Sequence, residues 1–307
     1  MGTSELKCHR CIRCDGHGCP GMMPGLGGVL EGKNFQLNCQ AWGELRQLAN
    51  SKGKIDKILE IEVTPEHLRC GPVTGAVENI GYADEADFYL PYLTNAAQAG
   101  IGLCVGDGCP DEKLKLGIEA VKQIKENTSS ADSKTASPNV AFFLKPYPQE
   151  KLLERIEWVK PYASYIGMDI DSYNILTMRN LVHLERKTAE QIEEIRSAAG
   201  VPFVIKGVFT EQDLDLVREV RPDVVYISNH GGRVETRIGS TGHFLAEHVD
   251  EIKEYCKEIW IDGGIRTVGD VQTALFYGAD KVIVARPLIR ATFDNKYTEE
   301  INKLLGK

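Results

Sequence analysis

The chain has 307 residues, 26% of them charged, and a formal net charge of −8 at pH 7. This length accommodates one α/β barrel of about 250 residues together with a short additional segment. The acidic balance and the lack of a basic stripe argue against a nucleic-acid partner, and no apolar run approaches the roughly 18 residues of a membrane span. Because the N-terminus lacks the apolar core of a secretion signal, we expect a cytoplasmic protein.

Residues 1–55 differ from the rest of the chain and are predicted to form a short cysteine-rich N-terminal extension. Four of the nine cysteines lie within the first twenty residues, namely Cys8, Cys11, Cys14 and Cys19. The odd count excludes a complete set of intramolecular disulfides, and a cysteine cluster in a cytosolic chain more often indicates metal or redox chemistry. The segment 35–49 is a candidate helix with its N-cap at Asn34.

Residues 56–307 are predicted to form a (β/α)₈ TIM barrel. Short apolar runs alternate there with amphipathic segments, and the runs cover residues 70–74, 102–105, 140–144, 165–168, 203–205, 224–227, 259–261 and 282–285. Nearly continuous apolar character is typical of parallel strands that are covered on both faces. Capping motifs at Thr188, Thr210 and Thr267 predict helix starts. An open doubly wound sheet fits less well, because residues 71–75 lack the G-x-G-x-x-G phosphate turn.

Two motifs with acid–base character follow the fifth and sixth runs, at the edge where a barrel carries its functional side chains. Lys206 follows the fifth run, and Ser228-Asn229-His230-Gly231-Gly232-Arg233 follows the sixth. A histidine, with its pKa near neutrality, can take a proton, and an arginine can hold a carboxylate through two hydrogen bonds. Taken alone, the lysine would fit a surface position equally well, and the hexamer would fit a polar turn.

A phosphate site is predicted after the seventh and eighth runs. Asp262-Gly263-Gly264-Ile265-Arg266 precedes the helix start at Thr267, and Ala285-Arg286-Pro287 follows the eighth run. Glycine amides, arginines and a helix N-terminus at these two strand ends form the usual phosphate site of a barrel.

In order and spacing, these four blocks resemble the signature of the FMN-dependent 2-hydroxy acid dehydrogenase and oxidase family, which includes glycolate oxidase and lactate oxidase. The resemblance is strong over residues 206–290, weaker over 72–171 and absent from the first twenty residues. It implies an FMN cofactor and oxidation of a small 2-hydroxy acid or related carboxylate by hydride transfer to the flavin. It also implies a homo-oligomer, and it leaves the electron acceptor open.

The resemblance also implies roles for individual residues. His230 would be the base, Arg233 would bind the substrate carboxylate, Asp171 would orient His230, and Lys206 would stabilise negative charge on the flavin. Cofactor contacts are implied for Val73, Thr74, Lys206, Ser228, Asp262, Gly263, Gly264, Arg266, Ala285 and Arg286. Asp262 would contact the ribityl chain. Gly264, Arg266 and Arg286 would surround the phosphate.

The sequence departs from the family pattern at the substrate side. The family's third strand ends Gln-Leu-Tyr, whereas this chain has Phe143-Leu144-Lys145, so Lys145 takes the place of a tyrosine that contacts substrate. The family's N-terminal tyrosine has only residues 22–25 as a counterpart, and Arg179 is the candidate for its second substrate arginine. These changes predict an altered substrate preference. They keep open a flavin-dependent isomerase or reductase that acts on a different substrate.

The cysteine spacing C-x₂-C-x₂-C-x₄-C-P is similar to a ferredoxin run with one extra residue before the last cysteine. It predicts a [4Fe–4S] cluster, with zinc (Zn) held by four cysteines, or by three cysteines and a histidine, as the close alternative. Unliganded thiols remain a third interpretation. A bound metal would also allow a non-enzymatic metal or flavin redox sensor.

Overall fold

A computed structural model describes residues 32–128, 137–174, 182–234 and 236–307. Within these ranges, eight parallel strands form one sheet in the order β1-β8-β7-β6-β5-β4-β3-β2. The strands are β1 Leu68–Cys70, β2 Leu103–Gly106, β3 Val140–Leu144, β4 Tyr165–Asp169, β5 Phe203–Val208, β6 Val224–Ile227, β7 Glu258–Ile261 and β8 Lys281–Val284. Every strand is buried along nearly its whole length, as the continuous apolar runs predict.

The sheet closes into a barrel between its first two strands. β1 pairs with β8, and a parallel bridge joins Arg69 to Gly102 just before β2. The Gly102 N–H donates to Leu68 O at 3.0 Å across this seam. The predicted (β/α)₈ barrel is therefore confirmed.

Helices follow the strands and cover the outside of the barrel. Their bounds are α1 Lys33–Ser51, α2 Ile55–Leu59, α3 Ala86–Gln98, α4 Glu112–Thr128, α5 Gln149–Val159, α6 Ala189–Ala199, α7 Glu211–Val220, α8 Thr241–Ile252, α9 Val268–Phe276, α10 Arg286–Phe293 and α11 Tyr297–Leu305. The capping boxes at Thr188, Thr210 and Thr267 are present as predicted. No helix in the described ranges has both the length and the apolar character needed to cross a membrane.

The interior of the barrel is filled with large aromatic side chains. Phe143, Tyr226 and Trp260 are at most 1% exposed and form one cluster inside the strands. The Arg69 guanidinium lies 4.4 Å from the Trp260 ring centroid, which closes the end of this cluster with a cation–π contact. A packed interior of this kind leaves the strand ends as the place for a ligand.

The predicted bounds of the first strand are wrong. The strand ends at Cys70, and residues 71–74, which the prediction included, form the loop that leaves it. The Gly71 N–H still donates to Val284 O at 2.9 Å, but Pro72 has no N–H to continue the ladder. The consequence is that Val73 and Thr74 lie in a loop at the carboxyl edge of the barrel.

Helix α1 packs against the loops that follow β6 and β7. Its N-cap is Gly32, so the predicted cap at Asn34 is wrong. Asn34 is buried instead, and its amide donates to Val234 O and Arg237 O at 2.9 and 2.8 Å. Asn38 bonds to Asn229 at 2.8 Å and the Trp42 indole donates to Gly263 O at 2.8 Å. These contacts fix both loops relative to one helix.

We expect Gly264→Ala to lower the free energy of unfolding by about 2 kcal/mol or more, measured by urea denaturation. Gly264 has φ +76°, and a Cβ there would lie 2.1 Å from Asn38 O on α1. Gly43→Ala is the matched control within α1, since a Cβ at Gly43 meets no atom within 4 Å and alanine favours helix by about 0.5–1 kcal/mol. Equal stability of Gly264→Ala and the wild type would contradict this account of the α1 interface.

Candidate functional site

A cleft of about 1010 Å³, counted to its open mouth, lies at the carboxyl ends of the strands. The structure brings together in its lining most of the residues that the sequence singled out, namely Val73, Thr74, Lys145, Lys206, His230, Arg233, Asp262, Gly263, Gly264, Arg266, Ala285 and Arg286. The strand-end motifs therefore converge on one site.

The loop after β6 holds His230 in an uncommon backbone conformation. His230 has φ +53°, in the left-handed region. Its backbone N–H donates to Ser228 Oγ at 3.2 Å, and the Asn229 side chain accepts the Gly232 N–H at 2.8 Å. A Cβ at Gly232 would lie 2.3 Å from Phe35 N on α1, so this turn depends on a glycine where α1 crosses it. Strain of this kind persists only where the surroundings hold it, and it is common at functional sites.

Two carboxylates flank the His230 imidazole. Nδ1 lies 2.8 Å from Asp171 Oδ2, and Nε2 lies 3.0 Å from Asp169 Oδ2. The other oxygen of Asp169 accepts a hydrogen bond from the Lys206 ammonium at 2.6 Å. All four side chains are at most 13% exposed, so the charges interact with little screening by water.

This network sets the protonation of its members. Burial alone would lower the pKa of His230, but Asp169 and Asp171 outweigh burial and raise it above the usual value. Burial likewise opposes the charge of Lys206, yet Asp169 and Asp171 raise its pKa. For Asp169, the nearby His230 and Lys206 charges overcome burial and hold its pKa well below the usual range. For Asp171, burial dominates and raises the pKa to about 6.

The composition of this network, one imidazole and two carboxylates, is also that of many metal sites. The three candidate ligand atoms lie within 4.8 Å of one another. However, the two carboxylates bond to opposite nitrogens of His230, and the Lys206 ammonium already occupies Asp169. The arrangement is that of a hydrogen-bonded acid–base relay.

Two further cations face the cleft beside this network. Arg233 Nη2 donates to Asn79 Oδ1 at 3.3 Å. Lys145 follows β3 directly, is 7% exposed, and lines the cleft. Burial lowers the pKa of Lys145, against the opposing effect of Asp169 and Asp107. The cleft therefore offers positive charge around the imidazole, as binding of an anionic ligand requires.

The loops after β7 and β8 form a second positive region. Arg266 and Arg286 line the cleft together with Gly264, and α10 begins at Arg286 directly after β8. Arg266 Nη2 and Asp262 Oδ1 are buried polar atoms that have no hydrogen-bond partner among the described residues. Because such atoms are costly without a partner, they mark the positions where a polar ligand would bind.

Two of the predicted residues lie behind the cleft surface. Ser228 is fully buried, and its hydroxyl donates to Asp262 Oδ2 at 2.8 Å, so it acts on the cleft through Asp262. Asp171 contacts the far nitrogen of His230. The predicted metal ligands Cys8, Cys11, Cys14 and Cys19 lie outside the described residues, as does Arg179.

Sequence reasoning did not assign a role to Asp169 or Asp107. The family resemblance assigned the aspartate beside His230 to Asp171 alone. Asp107 follows β2 and forms a buried ion pair with Arg155. Burial raises the pKa of Asp107 to about 6 despite this arginine. The Gly106-Asp107-Gly108 turn was the available signal, since it places a carboxylate at a strand end.

Solved structures of mandelate oxidase share this fold. One, a variant with a monooxide FMN adduct, superposes with a TM-score of 0.64 over 92% of this chain and 86% of that chain, at 19% identity. Another, a variant with (S)-mandelic acid, gives a TM-score of 0.64 at 20% identity over the same shares. At this identity the likeness establishes the barrel fold.

Curated relatives match a shorter segment. 2-Hydroxyacid oxidase 2 from Bos taurus is 35% identical over 100 residues, 33% of this chain and 28% of that protein. 4-Hydroxymandelate oxidase from Amycolatopsis orientalis is 35% identical over 104 residues, 34% of this chain and 29% of that protein. The matched segment thus spans less than a third of the length of each relative.

The family model described as FMN-dependent dehydrogenase matches residues 125–296, which is more than half of the chain. The match includes the ends of β3 to β8 and therefore the whole acid–base network. Taken with the barrel and the convergent strand-end motifs, this match establishes that the chain belongs to the FMN-dependent dehydrogenase family.

Proposed function

We propose that the chain binds FMN in this cleft and oxidises a small 2-hydroxy acid to the 2-oxo acid. One observation carries the proposal. A histidine flanked by carboxylates, a lysine and an arginine line the same cleft as a second positive region that suits a phosphate. The named relatives, a 2-hydroxyacid oxidase and a 4-hydroxymandelate oxidase, support this reaction class.

The residues present fit FMN. The phosphate would be held by Gly264, Arg266 and Arg286, where Arg266 Nη2 lacks a partner among the described residues. The ribityl hydroxyls would meet Asp262, whose Oδ1 is likewise buried without a partner in the described ranges. Val73, Thr74 and Lys206 would contact the ring system from the loop after β1 and from β5. FMN, when bound, supplies the acceptor for the hydride that leaves the substrate Cα.

The chain's own residues would handle the carboxylate and the proton. Oxidation of a 2-hydroxy acid removes a hydride from Cα and a proton from the hydroxyl. Arg233 would bind the carboxylate and so place the hydroxyl near His230, whose Nε2 would take the proton. Asp171, 2.8 Å from Nδ1, would fix the ring so that Nε2 faces the substrate.

Asp169 would stabilise the charge that forms on His230. Its Oδ2 lies 3.0 Å from Nε2, the atom that receives the proton, and can accept a hydrogen bond from that N–H once the proton has been transferred. The charges of His230 and Lys206 keep Asp169 ionised. Once His230 has become an imidazolium, a carboxylate then lies at each of its nitrogens, which lowers the cost of proton transfer.

The same arrangement favours a second candidate, reduction of a 2-oxo acid. An imidazole whose pKa is raised by two carboxylates is well suited to donate a proton to a carbonyl oxygen. The binding residues would be unchanged. Faster oxidation of pre-reduced flavin by a 2-oxo acid than reduction of flavin by the 2-hydroxy acid would favour this direction.

We expect Arg266→Gln to weaken FMN binding about 10- to 100-fold, the usual effect of losing a charge-assisted hydrogen bond. Binding is measured by titrating FMN and riboflavin into the protein and following flavin fluorescence. Because riboflavin lacks the phosphate, its affinity should change little. Arg290→Gln, at an exposed position on α10, is the control and should bind both as the wild type does. An equal loss for both flavins would contradict a phosphate contact.

We expect Asp169→Asn to shift the acidic limb of the kcat/KM profile to lower pH. The base acts when neutral, so activity is lost as the pH falls through the pKa of His230, which Asp169 helps to raise. Removing one adjacent charge lowers such a pKa by about 1–3 units. The measurement is anaerobic flavin reduction by a 2-hydroxy acid between pH 4 and 10, roughly the span of the groups involved.

Asp215→Asn is the control for this experiment, because Asp215 is an exposed residue of α7 and pairs with Arg218. Its profile should superpose on that of the wild type. A limb that stays in place or moves to higher pH in Asp169→Asn would argue against His230 as the titrating base.

We propose in addition that Cys8, Cys11, Cys14 and Cys19 bind one metal centre. Their spacing supports a [4Fe–4S] cluster, with zinc as the alternative. Anaerobically purified protein should contain about four irons or about one zinc per chain. A Cys11→Ser, Cys14→Ser double variant should lose this metal, whereas Cys256→Ser should retain it. Purified protein that contains neither iron nor zinc at a stoichiometric level would contradict the proposal.

A further inference from the structure

Lys145 adds a cation to the cleft that the proposed reaction does not use. Its backbone N–H donates to Asp107 Oδ2 at 3.2 Å, and its side chain extends into the cleft lining at 7% exposure. Within the described ranges, its ammonium has no hydrogen bond and no ion pair. A buried ammonium is costly unless a negative charge pairs with it.

The two carboxylates whose charges act on Lys145 already pair with other cations. Asp169 bonds to Lys206 at 2.6 Å and to His230 at 3.0 Å. Asp107 pairs with the fully buried Arg155 guanidinium and also accepts the Gly108 N–H at 2.7 Å. Asp169 cannot turn to Lys145 without giving up Lys206 or His230, and Asp107 is held by Arg155 and by the Gly108 and Lys145 backbone N–H groups. A direct ionic partner for the Lys145 ammonium is therefore expected from a ligand.

Lys145 and Arg233 act on the same ligand volume. Both line the cleft, and the charge of Arg233 is close enough to lower the pKa of Lys145. The proposed function assigns Arg233 to the carboxylate next to the reacting carbon, which every 2-hydroxy acid carries. A second negative group on the same molecule would relieve the repulsion between the two cations and pair with Lys145.

We propose that Lys145 selects 2-hydroxy acids that carry a second carboxylate. This inference rests on the proposed function and names its substrate class. A carboxylate is favoured over a phosphate because one ammonium matches one negative charge, whereas the phosphate region of this cleft combines two arginines with glycine amides and a helix start. Lys145 thereby acts as a specificity-determining residue, and the proton transfer stays with His230.

The test compares ligands that differ only in the second carboxylate. The FMN-loaded chain is titrated by calorimetry with 2-oxoglutarate and with 2-oxovalerate, which have the same carbon chain and are products, so no turnover is needed. We expect 2-oxoglutarate to bind about 10- to 100-fold more tightly, as a charge-assisted contact provides. If the wild-type chain binds both ligands with equal affinity, or binds 2-oxovalerate more tightly, that result alone overturns the inference.

Variants of Lys145 assign the preference to this side chain. Lys145→Met keeps the length and removes the charge, so it should weaken 2-oxoglutarate binding about 10- to 100-fold and leave 2-oxovalerate binding nearly unchanged. Lys145→Arg should restore part of the preference. FMN content and Tm of each variant report folding. Equal weakening of both ligands in Lys145→Met would mean a structural role and overturn the inference.

Turnover separates this inference from the proposed function. Flavin is reduced anaerobically with racemic 2-hydroxyglutarate or 2-hydroxyvalerate. Faster reduction by 2-hydroxyglutarate supports both the proposed function and the inference about Lys145. If both acids reduce the flavin at equal rates, the inference that Lys145 selects a second carboxylate is wrong, and the proposed oxidation of 2-hydroxy acids is still supported. If neither acid reduces bound FMN and neither 2-oxo acid binds, the proposed function fails together with the inference.

Discussion

The buried ion pair between Lys206 and Asp169 is the interaction on which the rest of the cleft depends. The charge of His230 and this 2.6 Å hydrogen bond together keep Asp169 ionised although that carboxylate is almost fully buried. An ionised Asp169 then raises the pKa of His230 together with Asp171. Without the lysine, Asp169 would lose a hydrogen bond and one of the positive charges that hold its pKa low. The lysine thus helps to keep a charged carboxylate beside the imidazole.

The barrel supplies the geometry that this ion pair requires. Asp169 ends β4, and its Cα is the partner of Lys206 in the parallel register with β5. His230 reaches the pair from the loop after β6, and α1 holds that loop through Asn38 and the close approach of Phe35 to Gly232. Neighbouring parallel strands bring the charges to one edge, and the helix fixes the loop that completes the group.

Much of this could be predicted from the sequence, because strand ends in a barrel converge and the motifs lie directly after apolar runs. The contacts of α1 could not, since Asn38 and Asn229 are 191 residues apart and no local pattern joins them. The apolar run at residues 70–74 misled the first strand assignment because Pro72 ends the ladder. Two aspartates two positions apart gave no local sign that both would bond to His230. The cytoplasmic location, the homo-oligomer and the metal centre stay predictions.

The most direct measurement is a crystal structure of the chain with FMN bound. The account predicts one isoalloxazine in the cleft beside Lys206 and His230, with the phosphate against Gly264, Arg266 and Arg286. Asp169 should still join Lys206 to His230 in that structure. A flavin bound at another surface, or a cleft in which FMN separates Lys206 from Asp169 and His230, would contradict the account.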